Sequence, residues 1–542
     1  MRQRGHIYRI LEILKHEKRE IYAIYFYAIL AGLVQLSLPL GIQAIISFVF
    51  GGAISTSVVL LIGLVVFGAF IYGYFQVSQM KIIEKIEQQL YVRYAFQYAY
   101  ILPRLDIRAT ENYYRPELMN RYFDIMILQK GISKLLLDVP TATIQILAGL
   151  LLLTLYHPLF IFFGILVVLV IVLILYFSGN RGVETSLQES KHKYKMAAHL
   201  QQVALNAVDY KFFREDFNLG KTDKNITAYL KSRTNHFKVL LLQYWSLVYL
   251  KVFIIAAMLI AGAVLLFGQQ LNIGQFIAAE IIIILVINSV EKLIINLEQV
   301  YDVITAVEKI GEVTGLPVES EENTLFEPGD MQGVHIEANK LSFSYEDKND
   351  SVLKDISFEL LPGERLAISG SSGSGKSTLL KLVAGIFKAD RGTVLVNGLP
   401  VHKYSLLSLR NNTGLMLQSS GLFDGTLMEN ILCGRDIPYS AISRLAEITG
   451  LKNFVEKHKD GYDMRIYPGK YDLQDETVNR ILLVRALAGK SKLLLIDYPS
   501  TCDSEVTKQV LEYIDREMKG MTVIIVSEQA TVQNWCDKQL VL

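Results

Sequence analysis

Long apolar runs dominate the N-terminal part of the chain and are nearly absent after residue 290. A helix that crosses the hydrocarbon core of a bilayer needs roughly 17–25 apolar residues. Six runs approach or exceed that length: residues 21–50, 58–78, 139–155, 158–177, 252–267 and 273–290. The third and fifth are at the short end, so we expect them to extend into flanking residues such as 247–251. The pattern predicts an all-α transmembrane domain with six spans.

The connections between these runs are of two kinds. Residues 51–57, 156–157 and 268–272 are short and contain no Lys or Arg. Residues 79–134 and 179–246 are long and rich in Lys and Arg. Such an excess marks the cytoplasmic side of a membrane. We therefore predict that the spans pair as hairpins and that both termini are cytoplasmic.

The two long connections are expected to be helical rather than disordered, because residues 79–102 and 185–209 have mixed polar and apolar positions at helical spacing. Near their tips, residues 106–118 and 209–219 are rich in Tyr, Phe and Arg. These tips are either solvated turns or short helices that dock onto a cytosolic domain. The second explanation is favoured, because clustered aromatic side chains need a partner surface.

Ionisable residues are scarce inside the predicted spans. Glu280 lies within the sixth run, and Lys251 lies at the edge of the fifth. A carboxylate inside a membrane is by default a functional candidate. The alternative is that Glu280 forms a structural pair or faces a water-filled cavity without contacting a substrate.

Residues 312–333 contain two prolines, several glycines and a run of Glu, which is typical of a linker. After them, strand-like and helix-like stretches alternate, which predicts an α/β domain with a largely parallel sheet. These stretches are residues 334–337, 364–369, 378–385, 392–396, 493–496 and 522–526. The chain is thus predicted to be a multi-domain membrane protein, with a transmembrane domain over residues 1–311 and the α/β domain over residues 334–542.

Composition agrees with a membrane protein. The mean hydropathy is +0.31 and charged residues make up 20% of the chain. Both values are unusual for a soluble protein. The net charge of +1 gives no reason to expect nucleic-acid binding. Cys433, Cys502 and Cys536 fit no zinc or disulfide framework, so we interpret them as reduced cytosolic thiols. No cleavable signal peptide is evident.

The sequence from residue 370 to 377 is Gly-Ser-Ser-Gly-Ser-Gly-Lys-Ser, between a predicted strand and a predicted helix. That context is the one a phosphate-binding loop requires, since its backbone N–H groups and the helix N-terminus form an anion site. Lys376 would reach the β- and γ-phosphates, and Ser377 would hold Mg²⁺. Asp497, at the end of an apolar strand, fits the acid that supports Mg²⁺. The expected nucleotide-binding residues of this loop are Gly370, Ser371, Gly373, Gly375, Lys376, Ser377 and Thr378.

This combination of six spans and phosphate-loop motifs resembles the ABC exporters over about the whole chain. Within that family it looks most like bacterial exporters of peptides and proteins, of the haemolysin and bacteriocin type. The resemblance implies ATP and Mg²⁺ as cofactors. It implies that Tyr345, in Phe-Ser-Tyr, stacks on adenine, and that Gln418 touches Mg²⁺ and links to the membrane domain. No peptidase domain precedes the first run, so we expect no leader-cleaving role.

Several positions depart from the family pattern. The signature Leu-Ser-Gly-Gly-Gln is replaced by Leu-Gln-Asp-Glu-Thr at residues 473–477, where Asp475 and Glu476 would cap a helix and repel phosphate. Tyr498 stands where the resemblance places the catalytic Glu, and a neutral phenol is a poor base at pH 7. Glu528 stands in place of the switch His, where its charge opposes the transferring phosphoryl group. The alternative is that Glu528 itself replaces the missing base.

Two further departures concern the C-terminal region. Residues 499–503 align imperfectly with the loop that contacts the dimer partner in the family. The last predicted strand is followed closely by Leu542, so the elements usual at the C-terminus of the family are expected to be missing.

The resemblance implies an ATP-binding exporter subunit that moves a peptide, protein or amphipathic substrate across the bacterial inner membrane. It would work as a homodimer or as a heterodimer with another ABC half-transporter, with a periplasmic adaptor as a further candidate partner. The departures predict that hydrolysis by this chain alone is impaired. Two alternatives are a nucleotide-responsive membrane scaffold or regulator without productive transport, and a decayed copy of a transporter.

Overall fold

The computed structural model describes residues 10, 12–50, 56–111, 115–319, 322, 324–327, 332–345, 351–467, 473–489, 491–498 and 504–542. These residues divide into two compact units. Unit 1 takes the described residues within 1–104 and 113–316, and unit 2 takes those within 105–112 and 317–542.

Unit 1 is built of helices. In chain order they are α1 (Lys18–Gln35), α2 (Ser37–Phe50), α3 (Thr56–Ile101), α4 (Arg115–Asn120), α5 (Asp124–Tyr156), α6 (Leu159–Leu205), α7 (Ala207–Tyr210), α8 (Glu215–Phe267), α9 (Ile273–Ile295) and α10 (Leu297–Thr314). One apolar core lies among α5, α6, α8 and α9, and a second lies among α1, α3, α5 and α10.

Six helical segments of the described chain are long and apolar enough to cross a membrane, which confirms the predicted number of spans. They are Glu12–Phe50, Thr56–Arg104, Glu117–Tyr156, Leu159–Leu205, Asp216–Phe267 and Ile273–Thr314. Large apolar side chains on them face outward, and Phe70 and Phe162 are 70% and 76% exposed. An outer surface of this kind suits contact with lipid rather than water.

The spans continue as helices well beyond their apolar parts, as the sequence predicts. Helix α3 runs on to Ile101 and α6 runs on to Leu205. The start of α9 is fixed by a capping box: the Asn272 side chain accepts from the Gln275 N–H, and the Gln275 side chain accepts from the Asn272 N–H. Helix α10 ends at Thr314, so the first residues of the predicted linker are helical.

Polar side chains inside unit 1 are mostly paired. Buried Gln145 joins three helices, because its Oε1 accepts from Ser289 Oγ at 2.7 Å and its Nε2 donates to Gln35 Oε1. Lys251 Nζ lies 2.5 Å from Glu291 Oε2, an ion pair between α8 and α9. Glu280 Oε1 is buried and has no hydrogen-bond partner among the described residues. Lys251 therefore has a structural partner, whereas Glu280 stays a functional candidate.

Unit 2 is an α/β domain, as predicted. Its strands are β1 (Ile336–Phe343), β2 (Leu353–Leu360), β3 (Arg365–Ser369), β4 (Arg391–Val396), β5 (Leu399–Pro400), β6 (Thr413–Met416), β7 (Gly425–Thr426), β8 (Arg465–Ile466), β9 (Leu493–Asp497), β10 (Thr522–Val526) and β11 (Lys538–Val541). Its helices are α11 (Lys376–Val383), α12 (Leu406–Asn411), α13 (Leu427–Leu432), α14 (Tyr439–Ile448), α15 (Lys452–Lys457), α16 (Asp475–Leu487), α17 (Ser504–Glu517) and α18 (Ala530–Trp535).

A five-stranded sheet in the order β11-β3-β10-β9-β6 forms the centre of unit 2, and every pairing in it is parallel. Strands β9 and β10 are fully buried and almost wholly apolar, which is typical of a parallel sheet covered on both faces. A separate antiparallel sheet has the order β2-β1-β4-β5. Because the carboxyl ends of parallel strands meet at one edge, a ligand site is expected there.

Residues 105–112 come from the first long connection but pack within unit 2. Leu105 pairs with Val318, Ile107 packs against the core that contains β1 and β3, and Arg108 forms an ion pair with Asp390. The docking prediction for residues 106–118 is thus confirmed for its first part. It is wrong for Leu118, which is buried in the α1, α3, α5 and α10 core of unit 1.

The second tip, residues 209–219, lies in unit 1. Its aromatic side chains contact one another, with ring centroids of Phe213 and Phe217 5.7 Å apart. Phe212 is 86% exposed. Docking of this tip therefore stays a prediction.

Candidate functional site

One cavity of about 780 Å³ lies at the carboxyl edge of the parallel sheet in unit 2. The segments that follow β3, β6, β9 and β10 all reach it. Every predicted binding residue lines it: Tyr345, Gly370, Ser371, Gly373, Gly375, Lys376, Ser377, Thr378, Gln418 and Asp497. Tyr498 and Glu528, at the two predicted departures, line it as well.

The loop after β3 has a backbone that only glycine adopts readily. Gly373 and Gly375 have φ values of +85° and +101°, in the left-handed region. A Cβ at Gly375 would also lie 2.7 Å from Leu353 Cδ2. Ser374 Oγ is buried in this loop and has no hydrogen-bond partner among the described residues. The loop curls and leads into α11, and its Ser374 hydroxyl lacks a hydrogen-bond partner within the described residues. These features fit the binding of a phosphate group.

Ser377, Gln418 and Asp497 meet at one point of the cavity. Ser377 Oγ donates to Asp497 Oδ2 at 2.5 Å, and Gln418 Nε2 donates to Asp497 Oδ1 at 3.2 Å. No group of three or more His, Cys, Asp or Glu side chains that could hold a metal ion is found within the described ranges. A single carboxylate with neutral oxygen donors suits Mg²⁺, which keeps waters and binds substrate phosphates rather than a full protein cage.

The Lys376 side chain folds back and bonds to the first residues of its own loop. Its Nζ donates to the carbonyl oxygens of Gly370 and Ser371, the latter at 2.8 Å. The same Nζ lies 3.5 Å from Glu528 Oε1. The ammonium group is thus held inside the cavity, where it can bind phosphate oxygens.

Glu528 also reaches the loop. Its Oε1 accepts a hydrogen bond from the Gly370 N–H at 3.0 Å. The residue before it, Ser527, donates its backbone N–H to Ile368 O at 3.1 Å, so β10 and β3 fix the position of the Glu528 backbone. Glu528 therefore lies beside the phosphate loop, and its placement beside the phosphates stays a prediction.

Tyr345 lines the same cavity. Its hydroxyl is 2.9 Å from Thr378 Oγ1, in the first turn of α11, and its ring packs edge-on against Phe343 and Phe387 with centroids 5.1 and 5.8 Å away. A half-buried aromatic ring at this place is suited to contact a nucleotide base.

Residues 353–501 match the family model described as ABC transporter. The matched part of unit 2 is an ABC transporter domain. A match to this family implies ATP binding, and the six candidate membrane-spanning helices of the described chain precede the matched residues.

Curated relatives match part of the chain. An ATP-dependent lipid A-core flippase of Burkholderia orbicola is 29% identical over 276 residues, which are 51% of this chain and 46% of that protein. A flippase of the same description from Pseudomonas aeruginosa is 32% identical over 210 residues, 38% of this chain and 35% of that protein. The ABC transporter BEA3 of Gibberella fujikuroi is 32% identical over 206 residues, 37% of this chain and 16% of that protein. The matches thus span less than half the length of these relatives.

A solved structure has a similar fold over nearly the whole chain. A bacterial Atm1-family ABC exporter with ATP bound has a TM-score of 0.86, with 97% of this chain and 93% of that chain covered. The sequence identity is 18%, so the likeness concerns the fold. The predicted fold class, a six-helix domain followed by an α/β ABC domain, is confirmed.

In this ABC transporter domain, Tyr498 lines the cavity and its hydroxyl bonds to a helix of the core. The residue is 5% exposed and belongs to the core around α14, α16 and α17. Thr507 Oγ1, on α17, donates to the Tyr498 hydroxyl at 3.1 Å. The phenol is therefore bonded to the core, and that it makes a poor base stays a prediction.

The helix that follows the altered signature is α16. Its N-cap residue is Gln474, which makes no side-chain cap bond, so the prediction that Asp475 and Glu476 cap the helix is wrong in detail. They occupy the first turn of the helix instead, where their negative charges interact favourably with the positive end of the helix dipole. Both are exposed, and Glu476 Oε1 accepts from Arg480 Nη2 at 2.5 Å. Residues 499–503 lie outside the described residues.

Sequence reasoning missed several contributors. Val352, Ser372, Ser374 and Ser527 also line the cavity. Ser374 could have been singled out, because it belongs to the phosphate loop itself. Val352 has no such signal, since its place depends on the antiparallel sheet folding over the loop.

Proposed function

We propose that this chain is one half of an ABC exporter that binds ATP with Mg²⁺ and hydrolyses it slowly on its own. The observation that carries the proposal is one cavity that holds a complete phosphate loop together with two unsuitable side chains. Lys376, Ser377 and Asp497 meet there. The Tyr498 hydroxyl bonds to Thr507, and the Glu528 carboxylate bonds to the Gly370 amide.

The binding roles follow from the contacts. Lys376 would exchange its loop carbonyl partners for phosphate oxygens. Ser377, Gln418 and Asp497 would hold Mg²⁺, which when bound neutralises charge on the phosphates. Tyr345 would contact the base, because its hydroxyl is anchored on Thr378 and its ring faces the same cavity.

Slow hydrolysis follows from the same geometry. A general base must reach the attacking water and be able to take up a proton near pH 7. The Tyr498 phenol is held in the core by Thr507. Glu528 places negative charge where the transition state of phosphoryl transfer needs positive charge.

Family exporters of this architecture work as dimers, so we propose a homodimer or a heterodimer with another ABC half-transporter. In either dimer, a nucleotide site formed by both subunits would include α16 of this chain. The exposed acidic first turn of α16, with Asp475 and Glu476, would weaken nucleotide binding at that site. We propose that the exposed aromatic tip around Phe212 docks onto a cytosolic domain. We place the protein in the bacterial inner membrane with both termini cytoplasmic, on the Lys and Arg distribution, with a periplasmic adaptor as a further candidate partner.

For the cargo we propose an amphipathic molecule. The relatives described as lipid A-core flippases support an amphiphile more directly than the peptide or protein that the motifs resemble.

A nucleotide-responsive scaffold or regulator without transport is the second candidate, favoured by the two side chains that disable hydrolysis. The two functions are separated by reconstituting the chain in liposomes, alone and with any half-transporter encoded beside it. Movement of a labelled amphiphile that needs ATP, and that Lys376→Ala abolishes, supports the exporter. ATP binding without such movement in either reconstitution supports the scaffold and contradicts the exporter.

A further inference from the structure

The Glu528 carboxylate contacts the phosphate loop, although Glu528 and Gly370 are far apart in the sequence. Oε1 accepts from the Gly370 N–H at 3.0 Å and lies 3.5 Å from Lys376 Nζ. These are a backbone donor and a cation, the same two kinds of group that a phosphate oxygen would engage. Glu528 therefore uses part of the anion-binding capacity of the loop.

The contacts place this carboxylate beside the lysine of the loop. Tyr345, the residue proposed for the base, bonds instead to Thr378 at 2.9 Å. The lysine of such a loop reaches the β- and γ-phosphates, and Glu528 contacts both Lys376 and Gly370. A third phosphoryl group bound by Lys376 would therefore bring its charge next to the Glu528 carboxylate.

The charge around the cavity adds to this discrimination. Its charged lining side chains in the described structure are Lys376, Asp497 and Glu528, one cation against two anions. Each added phosphoryl group brings further negative charge toward Glu528. The Glu528 side chain is 55% exposed. Solvent therefore screens this repulsion, and the effect on affinity is moderate.

We propose that Glu528 is a specificity-determining residue that makes this site favour a nucleoside diphosphate over a nucleoside triphosphate. A triphosphate must either displace the carboxylate from the Gly370 amide and Lys376 or accept its charge against the terminal phosphoryl group. A diphosphate, whose β-phosphate also reaches Lys376, leaves the contact between Glu528 and the Gly370 amide intact. The inference rests on the proposed nucleotide binding and adds a regulatory property: the diphosphate state of this subunit is the stable one.

The test compares two ligands on one protein. The full chain in lipid is titrated at fixed Mg²⁺ with ADP and with the non-hydrolysable β,γ-imido analogue of ATP, and the ratio of the two dissociation constants is measured. Glu528→Gln keeps the size of the side chain and removes its charge. Glu456→Gln makes the same change at an exposed position of α15 and serves as the matched control.

Glu528→Gln is expected to tighten binding of the triphosphate analogue about tenfold and binding of ADP less than about twofold. The control leaves both dissociation constants unchanged. Equal tightening of both ligands, or an unchanged ratio with both still bound, overturns the inference and leaves nucleotide binding intact. If neither ligand binds to the natural chain or to Glu528→Gln, the proposed nucleotide binding fails and the inference fails with it.

Discussion

Arg108 and Asp390 form an ion pair, with Nη1 2.8 Å from Oδ1, that ties residues 105–112 to the ABC transporter domain. The other oxygen of Asp390 accepts from the Ser344 N–H at 2.7 Å, and Ser344 precedes Tyr345. Arg108 Nη2 also lies 3.4 Å from the Ser344 carbonyl oxygen. The loop between two membrane helices is therefore bonded to the segment that carries the predicted base-contacting ring.

Arg108→Ala and Asp390→Ala should each weaken nucleotide binding about threefold, because either change frees the Ser344–Tyr345 backbone. Both side chains are partly exposed, at 30% and 31%. The coupling between them should therefore be about 0.5 kcal/mol, as for other solvent-accessible ion pairs. Titrations of the two single variants and the double variant check this, with the 76% exposed Arg516→Ala as the control. If the losses of binding free energy in the two single variants simply add up in the double variant, the two side chains are not coupled, which would contradict the role of the ion pair.

The hydrogen bond from Ser377 to Asp497 predicts a specific response to Mg²⁺. In the natural chain, nucleotide affinity should rise with Mg²⁺ concentration, because Asp497 supports the ion. Asp497→Asn should flatten that dependence and cost at least tenfold in affinity at saturating Mg²⁺. Lys388→Ala, at an exposed lysine after α11, should behave like the natural chain. A normal Mg²⁺ response in Asp497→Asn would show that the ion is held elsewhere.

Tyr498→Phe separates a structural role of the phenol from a catalytic one. The variant should hydrolyse ATP at the same low rate as the natural chain. It removes the acceptor of the Thr507 hydroxyl bond in the core. Unfolding of the domain should therefore become easier by about 1 kcal/mol. ATPase assays together with thermal unfolding measure both quantities. Loss of the residual hydrolysis with unchanged stability would mean that the phenol takes part in the reaction.

Cys536 should be the least reactive of the described cysteines. Burial raises the pKa of its thiol to about 12, whereas Cys433 is exposed. At pH 9, roughly 0.1% of such a thiol is thiolate, which is the reactive form. In variants that keep one cysteine each, iodoacetamide should modify Cys433 much faster than Cys536. Similar rates would contradict the burial of Cys536.

The raised pKa of Cys536 also gives stability a pH dependence. The folded value lies above the ordinary 9.0. The unfolded chain therefore releases this proton first as the pH rises. The contribution of Cys536 to the free energy of unfolding is present below about pH 9 and is lost as the pH increases from there toward 12. Cys536→Ala should make the unfolding temperature less sensitive to pH across that window.

Much of the site could be predicted from local sequence. The phosphate loop and Asp497 follow directly on apolar strands, so their position at one sheet edge depends only on parallel pairing. The contact between Glu528 and Gly370 could not be predicted, because it depends on β10 lying beside β3 in the strand order. The direction of the Tyr498 hydroxyl depends on a core built from distant helices.

In the membrane domain, too, some features could be predicted from the sequence and others could not. The apolar runs predicted six spans because the bilayer sets their length. They could not show that residues 105–112 leave unit 1 while Leu118 returns to its core. The assignment of these residues to two different units depends on the ion pair between Arg108 and Asp390, which is far away in the sequence. It also depends on Leu118 packing in the core that contains residues of α3 and α5.

The rate of ATP hydrolysis by the purified chain in lipid tests the central claim most directly. Measured against Lys376→Ala, the natural chain should bind ATP yet release phosphate hardly faster than that variant. Tyr498→Glu combined with Glu528→His should raise the rate at least tenfold, because it supplies the base and cation that the family pattern requires. Hydrolysis by the natural chain at a rate usual for exporters, abolished by Lys376→Ala, would contradict the account.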